Sequence, residues 1–149
     1  MRAVLQRVDW AAVKVAEVEV ARIGKGILAL IGISREDTVA DMEWTAKKIA
    51  ELRIFDDSEG KLNLSLRETG GQLLLVSQFT LYGDCRKGRR PSYSDAAPPS
   101  EAERMYRQFV EIARGFVPDA QTGQFQAMMD VSLVNSGPVT LILDSRNIF

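Results

Sequence analysis

The sequence contains no histidine. Histidine is the usual general base, the usual partner of a serine or cysteine nucleophile and a frequent zinc ligand. Its absence excludes Ser-His-Asp, Cys-His and histidine-metal chemistries. Any catalysis must draw on hydroxyls, carboxylates, amines, backbone dipoles or a group that the substrate brings. Cysteine is nearly absent too. Cys85 stands alone, which excludes an internal disulfide and the clustered thiolates of a zinc finger or ribbon. A single thiol fits a reducing cytoplasm, and neither a metal nor a cofactor is expected. No apolar run approaches the roughly 18 residues that span a bilayer. Arg2 and Arg7 sit inside an alternating pattern rather than ahead of a signal peptide's apolar stretch. The expectation is a cytoplasmic protein without membrane contact.

What is present suits one globular domain: 149 residues, 46% hydrophobic and 26% charged. A chain of this length buries enough surface to fold without a disulfide or structural metal. The net charge of −1 argues against a protein coated in basic residues, but distribution matters more than the sum. Arg86, Lys87, Arg89 and Arg90 cluster around Gly88 with no acid among them. That patch reads either as a solvated loop or as a cradle for nucleic-acid phosphates. Beside it, Cys85 reads as an inert loop cysteine before a reactive one.

Periodicity predicts a strand over Met1 to Val8, then a hairpin in which Val13/Val15 and Val18/Val20 flank Ala16-Glu17. Ile27 to Ile33 is an apolar run of strand length that reads as buried on both faces. Thr38 with Asp41 forms a capping pattern, and Met42, Thr45/Ala46, Ile49 and Leu52 follow at helical spacing. Leu62, Leu64 and Leu66 alternate as in a half-buried strand, and Gln72 to Leu81 predicts another. Residues 83–99, rich in glycine, proline and arginine, read as a long functional loop. A second helix is expected from Ser100, with Ala102, Met105/Tyr106, Phe109/Val110 and Ala113 on its apolar face. Strands over Met129 to Asn135 and Val139 to Asp144 flank a Ser136-Gly137-Pro138 bend. The fold class is therefore α/β, a single domain with a mostly β, barrel-like or strongly curved sheet and two main helices.

Two segments point to chemistry. Ser77-Gln78-Phe79-Thr80-Leu81 ends an apolar strand with three hydrogen-bonding side chains, as a pocket lip would; alone, it reads equally as an edge strand leaving the core. Gly137-Pro138 is also ambiguous alone, since only about 5–6% of X–Pro bonds in folded proteins are cis.

Together these segments resemble the D-aminoacyl-tRNA deacylase family, and the likeness extends along essentially the whole chain. It includes the opening Met1 to Val8, Leu52-Arg53-Ile54-Phe55, Asn63-Leu64-Ser65-Leu66, Arg86-Lys87-Gly88-Arg89-Arg90-Pro91 and Val131 to Asn135. The resemblance implies a homodimer that cleaves the ester joining a D-amino acid to tRNA and clears glycine from the wrong tRNA. It implies a pocket at the dimer interface, with Ser77, Gln78, Phe79 and Thr80 as one wall. Gly137 and Pro138, joined by a cis peptide, enter it from the partner subunit and act as a chiral filter. It implies chemistry without metal or protein nucleophile, in which the 2′-hydroxyl of the terminal adenosine assists water and backbone N–H groups near Gln78 and Phe79 stabilise the oxyanion. Thr80 has the look of a nucleophile but no identifiable activating base. Gln126 and Met128 depart from the family pattern, which puts the adenosine-side wall in question. Two other readings remain: a related deacylase of altered chirality preference with that peptide trans, and a non-catalytic tRNA-binding protein.

Overall fold

A computed structural model of the chain describes residues 1–147. Strands β1 (Arg2–Val15), β2 (Val18–Ile23) and β3 (Gly26–Gly32) lead to helix α1 (Val39–Glu51) and the short strands β4 (Phe55–Asp56) and β5 (Leu62–Leu64). A single helical turn α2 (Leu66–Thr69), strand β6 (Gln72–Ser77) and a 3-10 turn at Phe79–Tyr82 follow. Helix α3 (Pro99–Phe116), β7 (Gln121–Thr122) and the long β8 (Asp130–Asp144) complete the chain. The main sheet runs β2-β1-β3-β6-β7, with β8 also paired to β1, while β4 and β5 pair apart from it. Antiparallel neighbours surround β1, and β3-β6 and β6-β7 are parallel. This is the single-domain, mostly β, barrel-like α/β fold expected.

The register of the sheet is irregular along β1. Successive strand residues point to opposite faces, so an irregularity of register reassigns every side chain beyond it. The β1–β8 ladder slips between Gln6 and Val8 and again between Val8 and Trp10. Before the slip, Ala3 and Leu5 join a core with Ile27, Ala29 and Ile31 of β3 and Leu73 and Leu75 of β6, all covered by α1 and α3. Val8 faces a second core by plain alternation from Leu5, and past the second slip Ala11 and Val13 face that same core, with Ala21 and Ile23 of β2 and Leu28, Leu74 and Val76. One strand thus feeds both faces, and β3 and β6 are buried on both sides, as the unbroken apolar run in β3 led one to expect.

The helices follow their predicted stripes. The Thr38/Asp41 capping box opens α1, which buries Met42, Thr45, Ala46 and Ile49. Helix α3 begins at Pro99, one residue before the serine expected, with proline in the N-terminal position it tolerates. Its fully buried Phe109 contributes roughly 1.5–3 kcal/mol by leaving water.

Three expectations need correction. Leu66 is not in a strand: the Ser65 hydroxyl accepts from Glu68 N–H and Glu68 accepts from Ser65 N–H, a capping box that starts α2. The strand expected to reach Leu81 stops at Ser77, because Phe79–Tyr82 folds into the 3-10 turn. The two C-terminal strands are one, β8, running past the Gly137-Pro138 bend.

Candidate active site

The cleft beside the end of β6 has a volume of about 730 Å³, and its wall includes Ser77, Gln78 and Phe79. Parallel pairing to β3 carries β6 out of the core as far as Ser77 opposite Ile31. There the Gln78 N–H donates to the Ile31 carbonyl (2.7 Å), and the chain turns. That bond removes Gln78 N–H from the oxyanion donors expected from sequence. The Phe79 N–H, at the start of the 3-10 turn, lies where a helical turn has no acceptor of its own to offer. Thr80 stands beside the cleft rather than in its wall. Its hydroxyl accepts a hydrogen bond from the Gln78 side-chain amide at 2.5 Å.

Phe79 is 55% exposed and meets Tyr93 edge to face, with ring centroids 5.1 Å apart. Across the cleft, Gln126, Ala127, Met128 and Met129 form another wall. Gln126 and Met128, the two positions expected from the sequence to depart from the family pattern, are both on this surface. Gln126 adopts a left-handed φ of 58°, and Met128 is 89% exposed. Phe125, also in the cleft wall, packs against Tyr106 with ring centroids 5.8 Å apart, and the Tyr106 hydroxyl donates to the Leu75 carbonyl at 2.9 Å. Burial pushes that phenol well above its ordinary pKa, so it remains a donor.

Gly137 and Pro138 do not line this cleft. Their peptide is cis, as expected from the resemblance, and Gly137 has φ 129°. The β1–β8 register explains their position: Gln6 pairs with Thr140 and Val8 with Asn135, so residues 136–139 bow out opposite Arg7. The base of the bow is tied by Asn135, whose Oδ1 accepts from Val139 N–H at 2.8 Å. Its Nδ2 donates to Thr140 Oγ1 at 3.1 Å and to Gln6 Oε1. Arg7 fills the bow, its Nε donating to the Ser136 carbonyl (2.9 Å) and its Nη1 to the Ile54 carbonyl (2.9 Å). A Cβ on Gly137 would come within 2.9 Å of the Arg7 guanidinium. Sequence reasoning gave Arg7 no role, because nothing local pairs residue 7 with residue 136.

The basic cluster divides. Asp84 and Ser92 exchange backbone hydrogen bonds (2.7 and 3.0 Å) and close a projecting loop with Gly88 in the left-handed region. Arg86 is taken by Asp84 through two bonds of 2.8 and 2.7 Å. This clasp holds the Asp84 carboxyl far below the carboxylate range. Lys87, Arg89 and Arg90 are exposed and have no ion pair among the described residues. Cys85 is exposed beside them.

Sequence reading also missed the cleft's other wall, Tyr93 and Ala96 to Pro99, and Arg35. The Pro98-Pro99 pair before a helix was a signal for a fixed wall, but the pairing of Ser34 with Ala96 that brings it to the cleft is long-range.

A nearly closed, curved sheet with a cleft walled by hydroxyl, amide, aromatic and aliphatic groups is the frame of a small enzyme domain. The model of the D-Tyr-tRNA(Tyr) deacylase family matches residues 4–144, and the chain belongs to that family. It is 59% identical over 146 residues to a D-aminoacyl-tRNA deacylase of Desulfatibacillum aliphaticivorans, covering 98% of this chain and all of the relative. It is 54% identical to one of Thermosipho africanus over the full length of both. Among solved structures, a c-Myc DNA Unwinding Element Binding Protein superposes with a TM-score of 0.93 at 41% identity, over 97% of this chain and 98% of that one. A probable eukaryotic D-amino acid tRNA deacylase shares the fold at 20% identity, with a TM-score of 0.81, over 95% of this chain and 97% of the other.

Proposed function

We propose that this chain hydrolyses the ester linking a D-amino acid, or a misplaced glycine, to the 3′ end of tRNA, releasing free tRNA and amino acid in the cytoplasm. The observation that carries the reading is the Ser77-Gln78-Phe79 wall of the cleft, in a chain that matches the deacylase family over residues 4–144. Without histidine, and with the Thr80 hydroxyl held by Gln78, the protein's share is to hold the ester and stabilise charge. The Phe79 N–H stands ready for the developing oxyanion, and a site emptied of bulk water strengthens that bond. The vicinal 2′-hydroxyl of the terminal adenosine assists the attacking water.

The working unit in this reading is a homodimer. Gly137 and Pro138 lie outside the chain's own cleft, on a strand whose one partner in the sheet is β1. Val134 and Ile142 of that strand are 42% and 61% exposed. Exposed apolar residues along an unpaired strand edge favour association, and a second copy supplies the mate. The carbonyls of Gly137 and Pro138 from the partner subunit then accept from the substrate's α-ammonium. With ammonium and ester both held, a D side chain points outward and an L side chain meets backbone. Lys87, Arg89 and Arg90 lie along acceptor-stem phosphates, positioning the tRNA without reading its sequence.

Incubation with D-tyrosyl-, L-tyrosyl- and glycyl-tRNA tests the proposal. Release from the D- and glycyl-forms with the L-form intact is expected. Equal turnover of D and L would replace the proposal with a deacylase of altered chirality, and binding without turnover would leave a nucleic-acid-binding protein.

A further inference from the structure

We propose that Arg35 is a positioning residue that grips the phosphodiester on the 5′ side of the terminal adenosine and so sets which way round the acceptor end lies in the cleft. The inference rests on the deacylase reading of that cleft. Among the described residues, Arg35 is the one charged side chain in the cleft wall; the rest of the lining is apolar, amide or hydroxyl. An aminoacyl-adenosine end is lopsided in charge, with a cation at the amino acid and an anion at the phosphodiester. In a cleft without carboxylates, the one cation marks where the anion goes.

The backbone beneath Arg35 is fixed on every side. The Asp37 carboxylate accepts from Ser34 N–H at 2.8 Å and from the Met1 ammonium at 2.5 Å. The Ser34 hydroxyl accepts from Glu36 N–H (3.2 Å), and Arg35 N–H itself donates to the Asp95 carbonyl (3.3 Å). Ala97 N–H donates to the Ile33 carbonyl at 2.9 Å, pinning the turn to the neighbouring segment of the cleft wall. The acids close in sequence are engaged elsewhere: Glu36 pairs with Arg146, and Asp37 with the Met1 ammonium. The Arg35 side chain is exposed and has no ion pair among the described residues. A cation on a rigid mount, exposed in the wall of an otherwise uncharged cleft and without an ion pair among the described residues, is arranged for an anion arriving from outside. A guanidinium offers phosphate two parallel N–H bonds that an ammonium cannot reproduce.

The test compares the unmodified protein with Arg35→Gln and Arg35→Lys on three D-tyrosyl esters: full tRNA, adenosine 5′-monophosphate esterified at its 3′-oxygen, and adenosine esterified at the same place. The glutamine variant is expected to raise KM about tenfold for both phosphate-bearing substrates. Its kcat should hold, and its KM for the adenosine ester should be unchanged. The lysine variant should recover part of the loss. The slope of log(kcat/KM) against log salt for tRNA should become shallower by about 0.7, the value of one single-strand phosphate contact. An equal rise in KM for the adenosine ester would make Arg35 merely structural and overturn the proposal, as would no change on any substrate. If the unmodified protein turns over none of the three esters, the deacylase reading itself fails and takes this inference with it.

Discussion

At the residue scale, Thr80 is the side chain most easily mistaken for a nucleophile, and its surroundings argue otherwise. Its oxygen accepts a bond from the Gln78 amide, a donor that stabilises the hydroxyl without taking its proton. Thr80→Ala is therefore expected to keep kcat within about tenfold, whereas a 2′-deoxy terminal adenosine should lose far more, on the scale of 10²–10⁴ that a general acid–base group contributes. Complete loss of chemistry in Thr80→Ala, with tRNA binding and fold intact, would restore the nucleophile. A different residue carries a stability prediction. The Thr45 hydroxyl is fully buried in α1 and has no hydrogen-bond partner among the described residues. Replacing it with the methyl of valine removes a desolvated polar group at nearly constant shape, so Thr45→Val should raise stability by about 1 kcal/mol in urea titration. Gly26 shows the opposite constraint: a Cβ there would sit 1.8 Å from the Gln72 carbonyl oxygen. The backbones of β3 and β6 touch at that point, and Gly26→Ala should cost about 3 kcal/mol or more.

At the element scale, the sequence made most of the fold legible where one period governed one element. Helix α1, helix α3 and β3 fall where their apolar spacing puts them, since burial of that stripe is what forms them. The misses share a cause. Leu62, Leu64 and Leu66 alternate, yet Leu62 is 54% exposed and Leu66 belongs to a helical turn whose signature, Ser65 and Glu68, was in plain view. The pattern of Phe79 to Leu81 continued β6, but the Gln78 carbonyl accepts from Leu81 N–H at 3.2 Å in the 3-10 turn, which takes the backbone out of the ladder. Of the candidate site, the Ser77 to Phe79 wall was legible because it is contiguous. Arg7, Arg35 and Tyr93 were not, since each joins its place through pairings between distant residues. The hairpin between β1 and β2 was legible and is suboptimal. Ala16 and Glu17 both have positive φ, 48° and 67°, where Asn-Gly is preferred. Left-handed non-glycine residues cost of order 1 kcal/mol or more each, so Ala16→Asn with Glu17→Gly should raise Tm by several degrees with activity unchanged. A calorimetric trace showing no gain would mean that the turn relaxes in solution.

At the scale of the whole molecule, the N-terminus is tied to the turn that follows β8. The Met1 ammonium reaches Ser145 Oγ at 2.7 Å as well as Asp37, and Ser145 donates to Asp41 at 2.6 Å. Burial alone would raise the Asp41 pKa, but bonds from the Ser145 hydroxyl and from Thr38 hold it down to about 2. A depressed folded-state pKa means that this stability is fully present above about pH 4 and is lost as pH falls through about 2. Asp41→Asn should flatten that part of the acid-unfolding curve, a difference of about 1 kcal/mol after allowance for solvent screening. No histidine adds a transition near neutrality. Assembly supplies the last test. If Gly137 and Pro138 serve the partner's cleft, activity should fall on dilution in step with dimer dissociation, and sedimentation that finds a fully active monomer would end the shared-site reading.

The slip in β1 also bears on how this chain can change length over evolutionary time. The odd-numbered residues Ala3 and Leu5 face one core and Ala11 and Val13 the other, and the phase relation of the two halves is set by the few positions between them. A codon lost there would turn one half of the strand inside out, exchanging core for solvent along every residue of that half. A codon lost in the exposed turn at residues 57–61, or in the loop closed by Asp84 and Ser92, would leave both faces as they are. Drift in length is therefore confined to the rim of this molecule, and a library of single-residue deletions should show tolerance at those two turns and intolerance from Gln6 to Trp10.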